Sequence, residues 1–259
     1  MTIFLAIILG VVEGLTEFFP VSSTGHLIFL SEILNIPETD TLKLFQVFIQ
    51  FGAVLAILVL YWRDILKERK IISSAIVGFI PAMVVGFFLY RMIKDFFFGN
   101  LVVVGSALVV GGILIFVFEK YHAKREIDES KIKDRIPNNK EAFIIGLAQA
   151  LAVIPGTSRS LMTVLSGLSL GFKRERIVFF SFVLSIPTIG AASLYDLYKT
   201  SAVITSGDIL FLAIGFLSAF LVSLFVLKVF LGYVKNNSFK IFGFYRIFLG
   251  LFILLLSIL

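Results

Sequence analysis

The sequence predicts an all-α integral membrane protein built as an inverted-topology repeat, with six transmembrane helices and two re-entrant helical hairpins. Three observations carry that expectation. Of the 259 residues, 59% are hydrophobic and 15% are charged, with a mean hydropathy of +1.03; soluble domains run about 45–50% apolar and about 25% charged. Six apolar runs approach the roughly 20 residues that a helix needs to cross the hydrocarbon core, while two further runs are cut short. The loop charges are also strongly unequal.

Taken in order, residues 3–12 form a short apolar run, after which Glu13 and Glu17 intrude and Pro20 stops the helix. Spans follow at 42–62, 72–91 and 101–118. Residues 120–140, KYHAKREIDESKIKDRIPNNK, read as a mixed-charge cytoplasmic linker in which His122 is solvated. The apolar run 142–154 ends at Pro155, and spans follow at 177–197, 209–231 and 240–259. Neither interrupted run can cross alone. Irregular backbone at membrane depth needs a protein or watery cover, so each reads as a hairpin that dips in and returns. The start, MTIFLAIILGVVEG, lacks the basic segment and cleavage site of a signal peptide and reads as part of the mature fold.

The loops 62–70, 119–140, 173–176 and 228–240 hold 17 Lys and Arg; the loops 31–43, 91–100 and 196–208 hold 4. The positive-inside rule puts the first set in the cytoplasm and both termini outside. The net charge of +6 is thereby assigned to cytoplasmic loops and not to a nucleic-acid partner. With no cysteine, disulfide and thiolate chemistry are excluded. Thirty phenylalanines read as a lipid-facing surface.

The two interrupted runs resemble each other. AIILGVVEGLTEFFPVSSTGH (6–26) aligns with AFIIGLAQALAVIPGTSRSL (142–161), pairing Gly10 with Gly146, Glu13 with Gln149, Pro20 with Pro155 and Ser23 with Ser158. Three spans follow each copy, and the charge rule makes the copies enter from opposite sides. Repeat one covers 1–119, the linker 120–140 and repeat two 141–259 of a single membrane domain. Such repeats bring broken-helix tips together near the midplane.

The chemistry concentrates at those tips. Glu13 and Glu17 are four apart and share a helix face. Carboxylates inside a membrane segment are costly and point to function. A divalent metal site, a proton or ion relay, a wet entrance and snorkelling to the surface all remain open. Ser22, Ser23 and Thr24 follow Pro20; one of them serves as a helix cap. His26 lies one turn beyond Ser23, a spacing that permits a hydroxyl–imidazole contact. In the second hairpin, Gly156 permits a tight backbone, and Thr157, Ser158 and Ser160 offer hydroxyls. Arg159 offers a planar fork suited to phosphate oxygens. Its anionic partner is either Glu13 or Glu17, as a structural ion pair, or a ligand phosphate at a helix N-terminus. Two carboxylates of this kind can hold Mg²⁺ or Ca²⁺ through oxygen ligands.

EGLTEFFPVSSTGH and PGTSRS together resemble the undecaprenyl-diphosphate phosphatases of the bacitracin-resistance type, and FQVFIQFGAVLAILVLYWRDI (45–65) extends the likeness over essentially the whole chain. The resemblance implies a multi-pass enzyme of the bacterial inner membrane, often a homodimer, with its site open to the periplasmic or outer side. It implies removal of one phosphate from a polyprenyl diphosphate lipid, dependent on Mg²⁺ or Ca²⁺, to recycle the cell-wall carrier. The family's paired glutamates fall on Glu13 and Glu17, its serine-rich turn on Ser22, Ser23 and Thr24, and its histidine on His26. Its second motif falls on Pro155 through Ser160, with Arg159 binding phosphate and Thr163 the trailing threonine. One departure stands out: Leu161 and Met162 replace the usual small Gly-Ala pair, which bears on how closely the second helix approaches its neighbour.

The mechanism expected on this basis uses Ser23 as nucleophile and His26 as its base, with His26 as nucleophile or activator of water as the alternatives. Membrane lipids surround the protein and the substrate tail lies between helices. A lipid-phosphate flippase or an ion-coupled transporter of the same architecture would use the same charges, but would need a sealed membrane to act.

Overall fold

The computed structural model describes residues 2–97, 99–123, 132–201 and 205–258. Much of the predicted linker, 124–131, and the side chain of His122 lie outside the described residues. The chain folds as helices α1 (Ile3–Thr16), α2 (Ser23–Ile33), α3 (Asp40–Lys67), α4 (Lys70–Met92), α5 (Leu101–Ala123), α6 (Asn139–Ala150), α7 (Arg159–Ser169), α8 (Arg174–Thr200), α9 (Ser206–Asn236) and α10 (Lys240–Leu256). Among the described residues the sole extended pairing is a bridge between Lys133 and Phe172.

Local chemistry sets the helix starts. Thr2 and Thr39 accept backbone N–H bonds from Leu5 and Leu42, and Asn138 with Glu141 forms a reciprocal capping box. Partial burial draws the Glu141 carboxyl upward, but hydrogen bonds from Arg135, Lys133 and the Asn138 backbone outweigh it and hold its pKa at about 2.

Among the described residues five helices, α3, α4, α5, α8 and α9, are long and apolar enough to cross a membrane. The last helix is shorter than the expected 240–259: α10 has 17 residues, about 26 Å at 1.5 Å per residue. The two interrupted runs are broken as expected. The first breaks between α1 and α2, and the second between α6 and α7, after a 3-10 turn at Leu151–Val153.

Packing comes in matched sets. Helix α1 lies on α9, and α6 lies on α4; α3 also packs on α9, and α8 on α4. The remaining large contacts pair α5 with α10 and α3 with α8. Gly10 sets its backbone against Gly215 of α9, and Gly146 does the same against Gly78 of α4. Small residues at such crossings let the backbones close up.

The phenylalanines do not all face lipid. Phe4, Phe88 and Phe248 are exposed, but Phe18, Phe182 and Phe230 are buried. Phe18 meets Phe182 edge-on at 5.2 Å, and Phe19 meets Phe230 at 4.9 Å. Those rings hold up the first break in α1–α2, so composition alone misassigned them. A second tie fixes one end of the bundle: Arg174 of α8 grips Glu119 of α5 with two hydrogen bonds, at 2.7 and 3.0 Å, and the Phe239 N–H donates to the same carboxylate.

Candidate active site

Both broken pairs turn on a serine with left-handed backbone. Ser22 has φ 71° and Ser158 has φ 75°. Each caps the helix that follows, Ser22 accepting from the Gly25 N–H and Ser158 from the Leu161 N–H. The expected cap among Ser22, Ser23 and Thr24 is therefore Ser22. The matching caps align Ser22 with Ser158, one residue off the sequence pairing of Ser23 with Ser158. A cap is a backbone geometry, and runs of serine hide its register. Gly156, with φ 94°, is required as glycine: a Cβ there would press on the Val104 carbonyl of α5.

The structure brings Glu17, Ser23 and Arg159 together. The Ser23 hydroxyl donates to Glu17 Oε2 at 2.5 Å, and Arg159 Nη2 donates to Glu17 Oε1 at 2.6 Å. One carboxylate thus joins a hydroxyl of the first hairpin to a guanidinium of the second. The ion-pair reading of Arg159, left open by the sequence, is realised here. Arg159 Nη1 also donates to the Ser181 carbonyl of α8 at 2.9 Å, while its Nε is buried with no hydrogen-bond partner. Ser160 donates to the Phe18 carbonyl at 2.9 Å, a direct tie between the two turns.

Glu13 is fully buried one turn before Glu17, and neither of its carboxyl oxygens has a hydrogen-bond partner. A carboxylate in that state needs a cation or a proton. Snorkelling is excluded by its burial. Among the described residues no three His, Cys, Asp or Glu side chains converge.

Other predicted residues take supporting places. Thr163 is buried against Ser181, 2.6 Å between hydroxyl oxygens, and its hydroxyl also lies 3.1 Å from the Arg159 carbonyl. Thr24 accepts from Gln50 of α3 at 3.3 Å. Thr157 borders an apolar cavity. His26 departs most from expectation. Its Nδ1 is 2.7 Å from the Ser22 carbonyl and its Nε2 is 2.6 Å from the Tyr245 hydroxyl. Both ring nitrogens are engaged away from the Ser23 hydroxyl, so the one-turn spacing does not produce the expected pair. The helix carries the imidazole towards α10, and Glu17 takes Ser23 instead. Leu161 is buried, so α7 still packs closely on its neighbours despite the larger side chain.

Sequence reasoning missed Arg246. This fully buried arginine of α10 donates to the carbonyls of Pro20 at 3.1 Å, Gly156 at 2.8 Å, Thr157 at 3.2 Å and Ala107 at 3.1 Å. It therefore grips both turns at once. The signal was present: of all Lys and Arg, Arg159 and Arg246 alone lie outside the counted loops, and an ionisable residue inside an apolar span points to function. Ser181, Gln50 and Tyr245 carried no comparable signal.

Carboxylate, hydroxyl, guanidinium and two helix N-termini in one buried spot suit a phosphoryl anion. The family model described as "Bacitracin resistance protein BacA" matches residues 6–252. The chain belongs to the bacitracin-resistance BacA family. Its relatives include proteins named undecaprenyl-diphosphatase. That of Aquifex aeolicus (strain VF5) is 43% identical over 97% of this chain and 97% of its own length. That of Sulfurihydrogenibium sp. (strain YO3AOP1) is 44% identical over 97% of this chain and 98% of its own length. That of Persephonella marina (strain DSM 14350 / EX-H1) is 43% identical, with both chains covered in full.

Proposed function

We propose that this protein is a multi-pass membrane phosphatase that hydrolyses undecaprenyl diphosphate to the monophosphate and inorganic phosphate. The observation that carries the reading is the Glu17 carboxylate, which holds the Ser23 hydroxyl and the Arg159 guanidinium on its two oxygens. Ser23 Oγ attacks the terminal phosphorus and its proton passes to Glu17, the acceptor already in place. The bond from that phosphorus to the bridging oxygen breaks, and the lipid monophosphate leaves, taking the proton from Glu17. Water then attacks the phosphoserine and gives a proton to Glu17; the bond from phosphorus to Ser23 Oγ breaks, Glu17 returns that proton to the Ser23 oxygen, and inorganic phosphate leaves. Arg159 offers its unpartnered Nε to a phosphoryl oxygen, while Glu17 and Ser181 hold its fork in place. His26 positions Ser22, and with it the start of α2.

Glu13 and Glu17 fit a divalent cation, Mg²⁺ or Ca²⁺. The two orphaned buried oxygens on Glu13 could supply part of the oxygen shell such an ion takes, and Mg²⁺ sites commonly combine one or two carboxylates with substrate phosphates. When bound, the cation would offset charge on the diphosphate.

The finer architecture belongs to the same reading. Helix α10 is the sixth span, at the short end of the range that crosses. At 14 and 11 residues, α1 and α2 are about 21 and 17 Å long, too short for the core of about 30 Å, which supports a re-entrant hairpin. The matched packing of α1 on α9 and α6 on α4 supports repeats at 1–119 and 141–259 in inverted order. The charge rule supports a site open to the outer side of the inner membrane, with both termini there. A homodimer rests on family resemblance and is read directly from the mass in detergent.

The test is phosphate release from undecaprenyl diphosphate by purified protein in detergent, with and without Mg²⁺ or Ca²⁺, beside Glu17→Ala. Cation-dependent release that the variant loses is the expected result. No release from folded protein would turn the reading to a flippase or transporter, for which the same charges would form a gate.

A further inference from the structure

An apolar groove runs along the outer face of α5 and meets the second turn. It consists of two cavities. The one of about 460 Å³ is lined by Ser106, Val110, Ile154 and Thr157 among others. The next, of about 490 Å³, continues towards the far end of α5. Leu114 and Met162 line both, so they stand at the junction. Each cavity is within the usual range of a ligand pocket, about 300–1,000 Å³.

Three features tie this groove to the phosphate site. Ile154 and Thr157 on its wall belong to the turn that continues directly into Ser158 and Arg159. The Thr157 carbonyl is held by Arg246, which also holds the first turn, so groove wall and phosphate seat are one rigid piece. A polyprenyl diphosphate is a single molecule whose tail must leave the polar seat through apolar surroundings, and the groove begins one or two residues from that seat.

From this we infer that the α5 groove seats the isoprenoid units nearest the diphosphate, and that Met162 sets how the chain passes from the first cavity to the second. The inference rests on the diphosphatase reading above. Met162 lines both cavities, and its unbranched thioether can yield to a passing chain. In the register fixed by the two caps it is the counterpart of His26: each is four residues past its cap, one turned to the polar support of the site and the other to the apolar path.

Ser106→Trp tests the groove. Ser106 is exposed on α5, so the larger ring enters the groove without disturbing the core. The control is Leu221→Trp on α9, also exposed and away from the groove. KM is measured in detergent for undecaprenyl diphosphate and for dimethylallyl diphosphate, whose single isoprene unit is too short to run down the groove. A blocked path forces the first isoprenoid units out of their packed course, and each loss of about 1.4 kcal/mol in fit raises KM tenfold. The expected result is a rise of that size in the undecaprenyl-to-dimethylallyl KM ratio for Ser106→Trp, with both KM values unchanged in Leu221→Trp. An unchanged ratio in Ser106→Trp, with wild-type turnover intact, would overturn the groove and leave the phosphatase reading standing. A changed oligomeric mass in Ser106→Trp would assign the groove to a second copy of the chain and overturn it too. Wild-type protein inactive on both substrates would overturn the phosphatase reading, and the groove with it.

Discussion

Arg246→Met is the most informative single change outside the reacting groups. The guanidinium donates four hydrogen bonds, at 2.8 to 3.2 Å, and three of the accepting carbonyls belong to the two turns. A buried acceptor deprived of its partner costs about 1–3 kcal/mol, so three give about 3–9 kcal/mol before relaxation. Relaxation lets some of those carbonyls find other donors, so we take the lower part of that range, about 3–5 kcal/mol. For a chain of this size each kcal/mol moves Tm by about 2–4 °C, so the variant should melt about 6–20 °C lower. Because both turns are released, kcat/KM should also fall by about a hundredfold, the penalty of roughly an ångström of misplacement at reacting groups. Arg246→Lys keeps the charge but not the fork, and should fall between the two. Gly111→Ala offers an independent route, since a Cβ there runs into the Arg246 guanidinium; it should reproduce both losses in milder form. The assays are thermal unfolding in detergent and phosphate release. An Arg246→Met protein that melts within about 2 °C of wild type with full turnover would refute the reasoning.

Arg159→Lys should lower kcat/KM by about 10²–10⁴, because the Nε contact to phosphate and the Nη2 tie to Glu17, each worth about 1.5–3 kcal/mol, go with the guanidinium; steady-state kinetics showing a loss below about threefold would contradict it. Glu13→Gln should raise the Mg²⁺ or Ca²⁺ concentration for half-maximal phosphate release by about tenfold or more, and excess chelator should silence the wild type; an unshifted cation titration would remove Glu13 from the metal site. Glu141→Gln should lower Tm at neutral pH by a few degrees. The folded carboxyl is held at about 2 against an ordinary 4.5, so its stabilisation is complete above 4.5 and fades as pH falls towards 2. The gap in Tm between variant and wild type should therefore narrow over that window, and a gap independent of pH would count against the Lys133 and Arg135 contacts as its cause.

The sequence exposed those features that depend on composition along the chain. Apolar runs of sufficient length became α3, α4, α5, α8 and α9 because a backbone in hydrocarbon must satisfy its own hydrogen bonds. The breaks before α2 and α7 were legible because proline and acidic or hydroxylic residues cannot continue an apolar helix cheaply. Glu13, Glu17, Ser23 and Arg159 were legible for a related reason: polar groups are rare enough there to be noticed. Their partners were not. That Glu17 would hold both Ser23 and Arg159, that His26 would turn to Tyr245, and that Arg246 would clamp two turns each depends on contacts between residues far apart in the chain, up to 226 positions for Arg246 and Pro20. The sequence by itself determined the class of the protein, where its helices break and which residue types gather at the breaks. Only the tertiary structure decided which hydroxyl faces which carboxylate, because that follows from how α8 and α10 pack around the two turns, and periodicity within one helix carries no record of its neighbours.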